Sequence, residues 1–92
     1  MELEDAERIV ARLQEQRLFA HLARSGVNSS GVRIVLPDGR EVIWDADGAA
    51  GLEAQVLLDG VLVGFIPLVP GSEDLGWEQA AAVIAATDYS AL

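Results

Sequence analysis

Cysteine is missing from this 92-residue chain, and with it go disulfides, thiol catalysis and thiolate metal sites. A reducing cytoplasm is therefore the expected compartment. Lysine is missing too: all six basic residues are Arg, set against 15 Asp and Glu for a net charge of −9. That excess repels nucleic-acid backbones and anionic membranes and favours basic partners. Aromatics are scarce, with two Trp, one Tyr and two Phe, so the core must come mostly from Val, Leu, Ile and Ala. The longest uncharged run, residues 60–72, holds Pro67 and Pro70 and falls short of the ~20 apolar residues a spanning helix needs. The opening MELEDAE is acidic, the reverse of a secretory or transit peptide, so no leader is expected.

What is present suits a folded domain. Half the chain, 51%, is hydrophobic, which argues against disorder despite the charge. The length fits one domain, residues 1–92, and no internal repeat or linker divides it. The charge is uneven. Residues 1–25 hold five acids and four Arg, whereas residues 26–92 hold ten acids against Arg33 and Arg40, a net of −8.

The strongest local signal is residues 52–66, LEAQVLLDGVLVGFI. Asp59-Gly60 marks a two-residue type I′ hairpin turn, because both central positions need positive φ. That loop sets Leu58 against Val61, Val56 against Val63 and Ala54 against Phe65, giving one continuous apolar face. Upstream, Pro37-Asp38-Gly39 fits a three-residue turn with Gly39 left-handed. It pairs Leu36 with Arg40, Ile34 with Val42 and Val32 with Trp44, keeping the apolar members together.

Residues 2–24 read as a helix with acids in the first turn and Arg24 in the last. Its pattern is divided. Leu3, Ala6, Ile9, Val10 and Leu13 form one stripe, while Leu18, Phe19, Leu22 and Ala23 centre roughly 160° away. Either the chain bends or breaks near residues 14–17, or the two halves meet different surfaces. A last helix runs from Ser72 or Asp74 to about Thr87, with Trp77, Ala80, Ala81 and Ile84 on one face. Residues 88–92 are expected to fray. The predicted architecture is α+β: a four-stranded antiparallel meander sheet flanked by an N-terminal and a C-terminal helix, α-β-β-β-β-α, with both helices on one face.

No chemistry is legible. His21 is the only histidine, and no nucleophile-elbow pattern places a Ser between the required glycines. Asp45-Ala46-Asp47-Gly48 fails the calcium-loop pattern, since its Gly stands at the fourth position and alanines occupy the fifth and sixth. Glu73, Asp74 and Glu78 belong where acids offset a helix N-terminus, and Asp38, Asp45, Asp47 and Asp59 are turn residues. The segment 26–31 leads into a strand, not a helix, and so is no phosphate cradle. The element order resembles, in outline, the double-stranded RNA-binding domain, but the last helix has no Lys or Arg to meet phosphates. No enzyme activity, cofactor, metal, direct nucleic-acid binding or membrane insertion is expected.

The hairpin's other face is more informative. Leu57 is set against Leu62, with Ile66 further along, and Val35 and Ile43 point the same way. If helices cover one face only, these five remain in water, each forgoing ~1.5–3 kcal/mol of burial. Val35, Ile43, Leu57, Leu62 and Ile66 are thus the candidate partner-binding residues. The expected function is a small non-enzymatic interaction module, adaptor or homo-oligomer, that binds through this sheet face or through the second helical stripe. The alternative is an acidic inhibitor, immunity protein or nucleic-acid mimic, masking a basic site through Asp38, Glu41, Asp45, Asp47 and Asp59.

Overall fold

In the computed structural model, residues 2–24, 30–46, 51–67, 69–72 and 76–91 are described. Helix α1 (Leu3–Glu15) opens the chain and is followed by five strands: β1 (Ala20–Arg24), β2 (Ser30–Val35), β3 (Arg40–Ala46), β4 (Leu52–Leu58) and β5 (Val61–Ile66). Helix α2 (Trp77–Ala86) and one 3-10 turn (Tyr89–Ala91) close it. The strands form a single antiparallel meander in the order β1-β2-β3-β4-β5. The α+β class and the helix–meander–helix order are as expected, with one strand more.

The extra strand comes out of the expected N-terminal helix, which is two elements. Its first stripe is the buried face of α1, where Ala6, Ile9 and Leu13 are sealed. The second stripe is not helical. The helix ends at Glu15, and Arg17 takes a left-handed φ of 65°. The Leu18 N–H donates to the Leu13 carbonyl at 3.1 Å and the Arg17 N–H to that of Gln14 at 3.0 Å. This pair of bonds is a Schellman stop, built here around an arginine instead of the usual glycine. Beyond it Ala20 and Leu22 pair with Ile34 and Val32, so the residues that broke the helical stripe fit the period of a strand.

The Pro37-Asp38-Gly39 turn is as expected. Gly39 has φ 93°, Ile34 pairs with Val42 and Val32 with Trp44. The last hairpin is right at its turn and wrong beyond it. Asp59 and Gly60 have φ of 52° and 80°, and Leu58 pairs with Val61 and Leu57 with Leu62. Then the register shifts. Val56 pairs with Gly64, Gln55 with Phe65 and Ala54 with Ile66, leaving Val63 as the extra residue of a β-bulge. Because side chains alternate with a period of two, one inserted residue sends everything after it to the opposite face.

Both helices lie on one face of the sheet. Val32, Ile34, Val42, Trp44, Leu52, Ala54 and Val56 share one buried cluster with Ile9 and Leu13 of α1 and Ala80, Ala81 and Ile84 of α2. The small residues of α2 allow close approach. Trp77, half-buried where the helices meet, carries the Arg12 guanidinium 5.2 Å and that of Arg8 6.0 Å from its ring centre, both within cation–π range. The N-terminus of α2 lies later than expected, at Gly76, whose N–H is accepted by Gln79 Oε1 at 3.1 Å. Ser72 is no cap: it is buried, and its hydroxyl accepts the Leu52 N–H at 2.8 Å. Asp74, the other expected cap, lies outside the described residues, as do residues 47–50 and residues 26–29 of the segment 26–31, whose Ser30 and Gly31 open β2. Nor do residues 88–91 fray, Leu92 lying outside the described residues. The Tyr89 hydroxyl accepts the Trp44 indole N–H at 3.1 Å and donates to the Ile84 carbonyl at 2.8 Å.

Candidate protein-interaction surface

With both helices on one side, the opposite side of the sheet is uncovered. The odd-numbered residues of β2, β3 and β4 project there, and none of those described is fully buried apart from Gly31, which lacks a side chain. Arg33 and Glu41, diagonal neighbours on β2 and β3, hold each other across the middle at 2.9 Å. Apolar groups stand on either side of this pair.

On one side, the Phe19 carbonyl accepts the Val35 N–H at 3.0 Å, extending the β1–β2 ladder by one step. The Phe19 ring is 68% exposed beside His21, Val35 and Pro37. On the other side, Leu57 is half-buried, Leu62 is 45% exposed and Phe65 is 65% exposed. Phe65 borders a cleft with Ile43, Asp45, Glu53 and Gln55. Asp45 and Glu53 are direct cross-strand partners on this face, an arrangement in which like charges repel.

Four of the five candidate residues, Val35, Ile43, Leu57 and Leu62, therefore project from the open face. Ile66 does not. The bulge turns it toward the helices, where it packs half-buried against the core, and Phe65 occupies the open side in its place. Sequence reasoning missed Phe65 because it assumed an unbroken register. The signal was Gly64, since a glycine inside a strand pattern often marks a bulge. Phe19, expected on the second helical stripe with Leu18, Leu22 and Ala23, stands on the open sheet face instead, because residues 20–24 form a strand.

The acidic residues proposed for a basic partner are partly engaged within the fold. Asp38 is bridged to Arg40 at 2.6 Å, and the Arg40 backbone N–H is the main reason its carboxyl titrates below the usual carboxylate range. Glu41 is held by Arg33, Asp59 is exposed on its turn, Asp45 sits in the cleft, and Asp47 lies outside the described residues. His21 is an exposed strand residue opposite Arg33, not part of the helix expected over residues 2–24. Trp44, Phe65 and Trp77 line no common pocket: Trp44 is fully buried, Phe65 is on the other face and Trp77 lies beneath α1's arginines. Among the described residues no cluster of His, Asp or Glu is arranged to hold a metal ion, and no helix is long and apolar enough to cross a membrane. The chain matches no protein-family model, no curated protein and no solved structure.

Proposed function

We propose that this chain is a small, non-enzymatic protein–protein interaction module of the cytoplasm that binds through the uncovered face of its sheet. The observation that carries this reading is the position of Phe65. A small domain with few aromatics has left one of them 65% in water, on a face shared with Ile43, Leu57 and Leu62. Exposed apolar groups are ordinary when scattered, but a group gathered on three adjacent strands of one uncovered face marks a contact surface. Aromatic residues at the centre of such surfaces supply much of the binding energy.

The test measures both self-association and exposed apolar surface. The wild type is expected to bind a naphthalene-sulfonate dye or to associate in light scattering. Phe65→Asp and Leu62→Asp should abolish this while leaving the circular dichroism spectrum unchanged. A wild type that is monomeric at high concentration and binds no dye overturns the reading.

A further inference from the structure

The open face ends at β5, and β5 is also an edge of the sheet, pairing only with β4 among the described residues. Exposed sheet edges are usually guarded by charges, proline or bulges, because their unpaired N–H and C=O groups recruit other strands. The other edge, β1, has a His and an Arg within its five residues. β5 has neither charge nor proline, and Val61, Leu62, Val63 and Phe65 are all exposed. The bulge at Val63 divides the edge and Pro67, which has no N–H, closes it, leaving Gly64–Ile66 as the regular part, beside the Phe65 cleft.

Charge decides what can pair there. The β4–β5 hairpin contains Glu53 and Asp59 and no basic residue, and Asp45 stands across from Glu53. A second copy of this chain pairing antiparallel through β5 would set the Asp59 turn of one copy near the Glu53 end of the other. Like charges would then meet at both ends of the joint, between two chains of net −9. A basic segment meets the opposite situation. Its arginine or lysine side chains on the open face would lie over the Phe65 ring, a cation–π arrangement, and extend toward Glu53.

We propose that the regular part of the β5 edge, Gly64–Ile66, takes an extended, arginine- or lysine-bearing segment of a partner protein as a sixth strand. The segment's backbone bonds the outward-facing N–H and C=O of Phe65, and its basic side chains cross Phe65 to the Glu53 carboxylate. Such strand addition draws affinity from the main chain and specificity from alternate side chains. This rests on the interaction-module reading above and names the chemistry of its partner.

The probe is a short end-blocked peptide alternating arginine and valine, titrated into the full isotope-labelled chain and followed by amide shifts and hydrogen exchange. Binding should shift the amides of residues 64–66 and slow exchange of the Phe65 amide, the one that points to the free edge while Gly64 and Ile66 bond β4, by about tenfold or more at saturation. It should weaken with salt, and an otherwise identical glutamate–valine peptide should bind at least about tenfold more weakly. Glu53→Gln and Phe65→Ala should each reduce affinity for the arginine peptide without unfolding the chain. Equal binding of both peptides, protection at β1 instead of β5, or no protection at all overturns the proposal. If light scattering finds a dimer that Leu62→Asp dissolves, and β5 amides are protected without peptide, a second copy is the occupant; the basic segment is then wrong while the interaction surface stands. A monomer that binds no dye sinks the interaction surface itself.

Discussion

Phe65 stands opposite Gln55 in the β4–β5 ladder, one residue away from the Ala54 partner that an unbroken hairpin would give it. That step separates two neighbours of similar bulk. Ile66 faces the helices and Phe65 faces water. Truncating each tests the arrangement. Ile66→Ala should cost about 1–2 kcal/mol, less than for a sealed core residue because the side chain is half-buried. Phe65→Ala should change stability by less than about 0.5 kcal/mol. Urea denaturation of the two variants reads the difference directly, and the reverse ranking would mean that the hairpin runs without its bulge.

The end of α1 makes a second prediction. Arg17 adopts the left-handed conformation at φ 65°, which crowds Cβ against the following carbonyl and costs an L-residue roughly 1–2 kcal/mol. Glycine at that place removes the crowding but adds disorder to the unfolded chain. Arg17→Gly should therefore stabilise the protein by a net ~0.5–1 kcal/mol. A rise in the urea midpoint with an unchanged slope is the expected result. A fall would show that the arginine side chain contributes more at this corner than its backbone costs.

The same two places explain how far the sequence could be read. Turns with their own chemistry were legible: Asp59-Gly60 and Pro37-Asp38-Gly39 give the expected loops and the pairings next to them. Turns without it were not. The stop at Arg17 uses two backbone hydrogen bonds and no glycine, so nothing in composition announces it. The mismatch between the two apolar stripes located the break within residues 14–17 but not the strand beyond, because Leu18, Phe19, Leu22 and Ala23 suit either period over so short a run. The open face was foreseen in outline from Leu57 and Leu62, before a single bulge at Val63 replaced Ile66 by Phe65. Trp44 and Tyr89 meet from 45 positions apart, a contact that no local pattern encodes.

Gly31 marks another tertiary constraint, one that resembles loop chemistry in the sequence. It pairs with Ala23 inside the β1–β2 ladder, and a Cβ there would stand 2.4 Å from the Trp44 carbonyl oxygen. That atom is backbone in the next strand and cannot rotate away. Gly31→Ala should thus force β2 and β3 apart and cost about 2–3 kcal/mol, as overpacking does elsewhere in cores. Gly71→Ala is an instructive contrast, because nothing crowds its Cβ and only its φ of 75° is unfavourable, for roughly 1 kcal/mol. Thermal melts of both variants should rank Gly31→Ala clearly lower; equal melting temperatures would remove the close approach of the two strands.

Tyr89 links the chain's end to the core and supplies a pH signature. Burial, partly offset by the Trp44 N–H donated to its oxygen, raises the phenol from an ordinary 10.0 to about 12. The raised value means that the folded state holds the proton more tightly than the unfolded one. Its contribution is therefore complete below pH 10 and is lost as pH climbs from there through about 12. Without Lys or Cys, no other side chain has its ordinary pKa in that interval, Arg lying higher. Tyrosinate absorbance of the native protein should give a midpoint near 12, moving to the ordinary value in denaturant, and stability should decline over the same interval. Tyr89→Phe should abolish the alkaline decline and also lower stability at neutral pH by ~1 kcal/mol, because the Trp44 indole N–H loses its acceptor. If the native absorbance midpoint stays at the ordinary value, the hydroxyl is open to solvent and the bond to Trp44 does not hold the C-terminal turn in place.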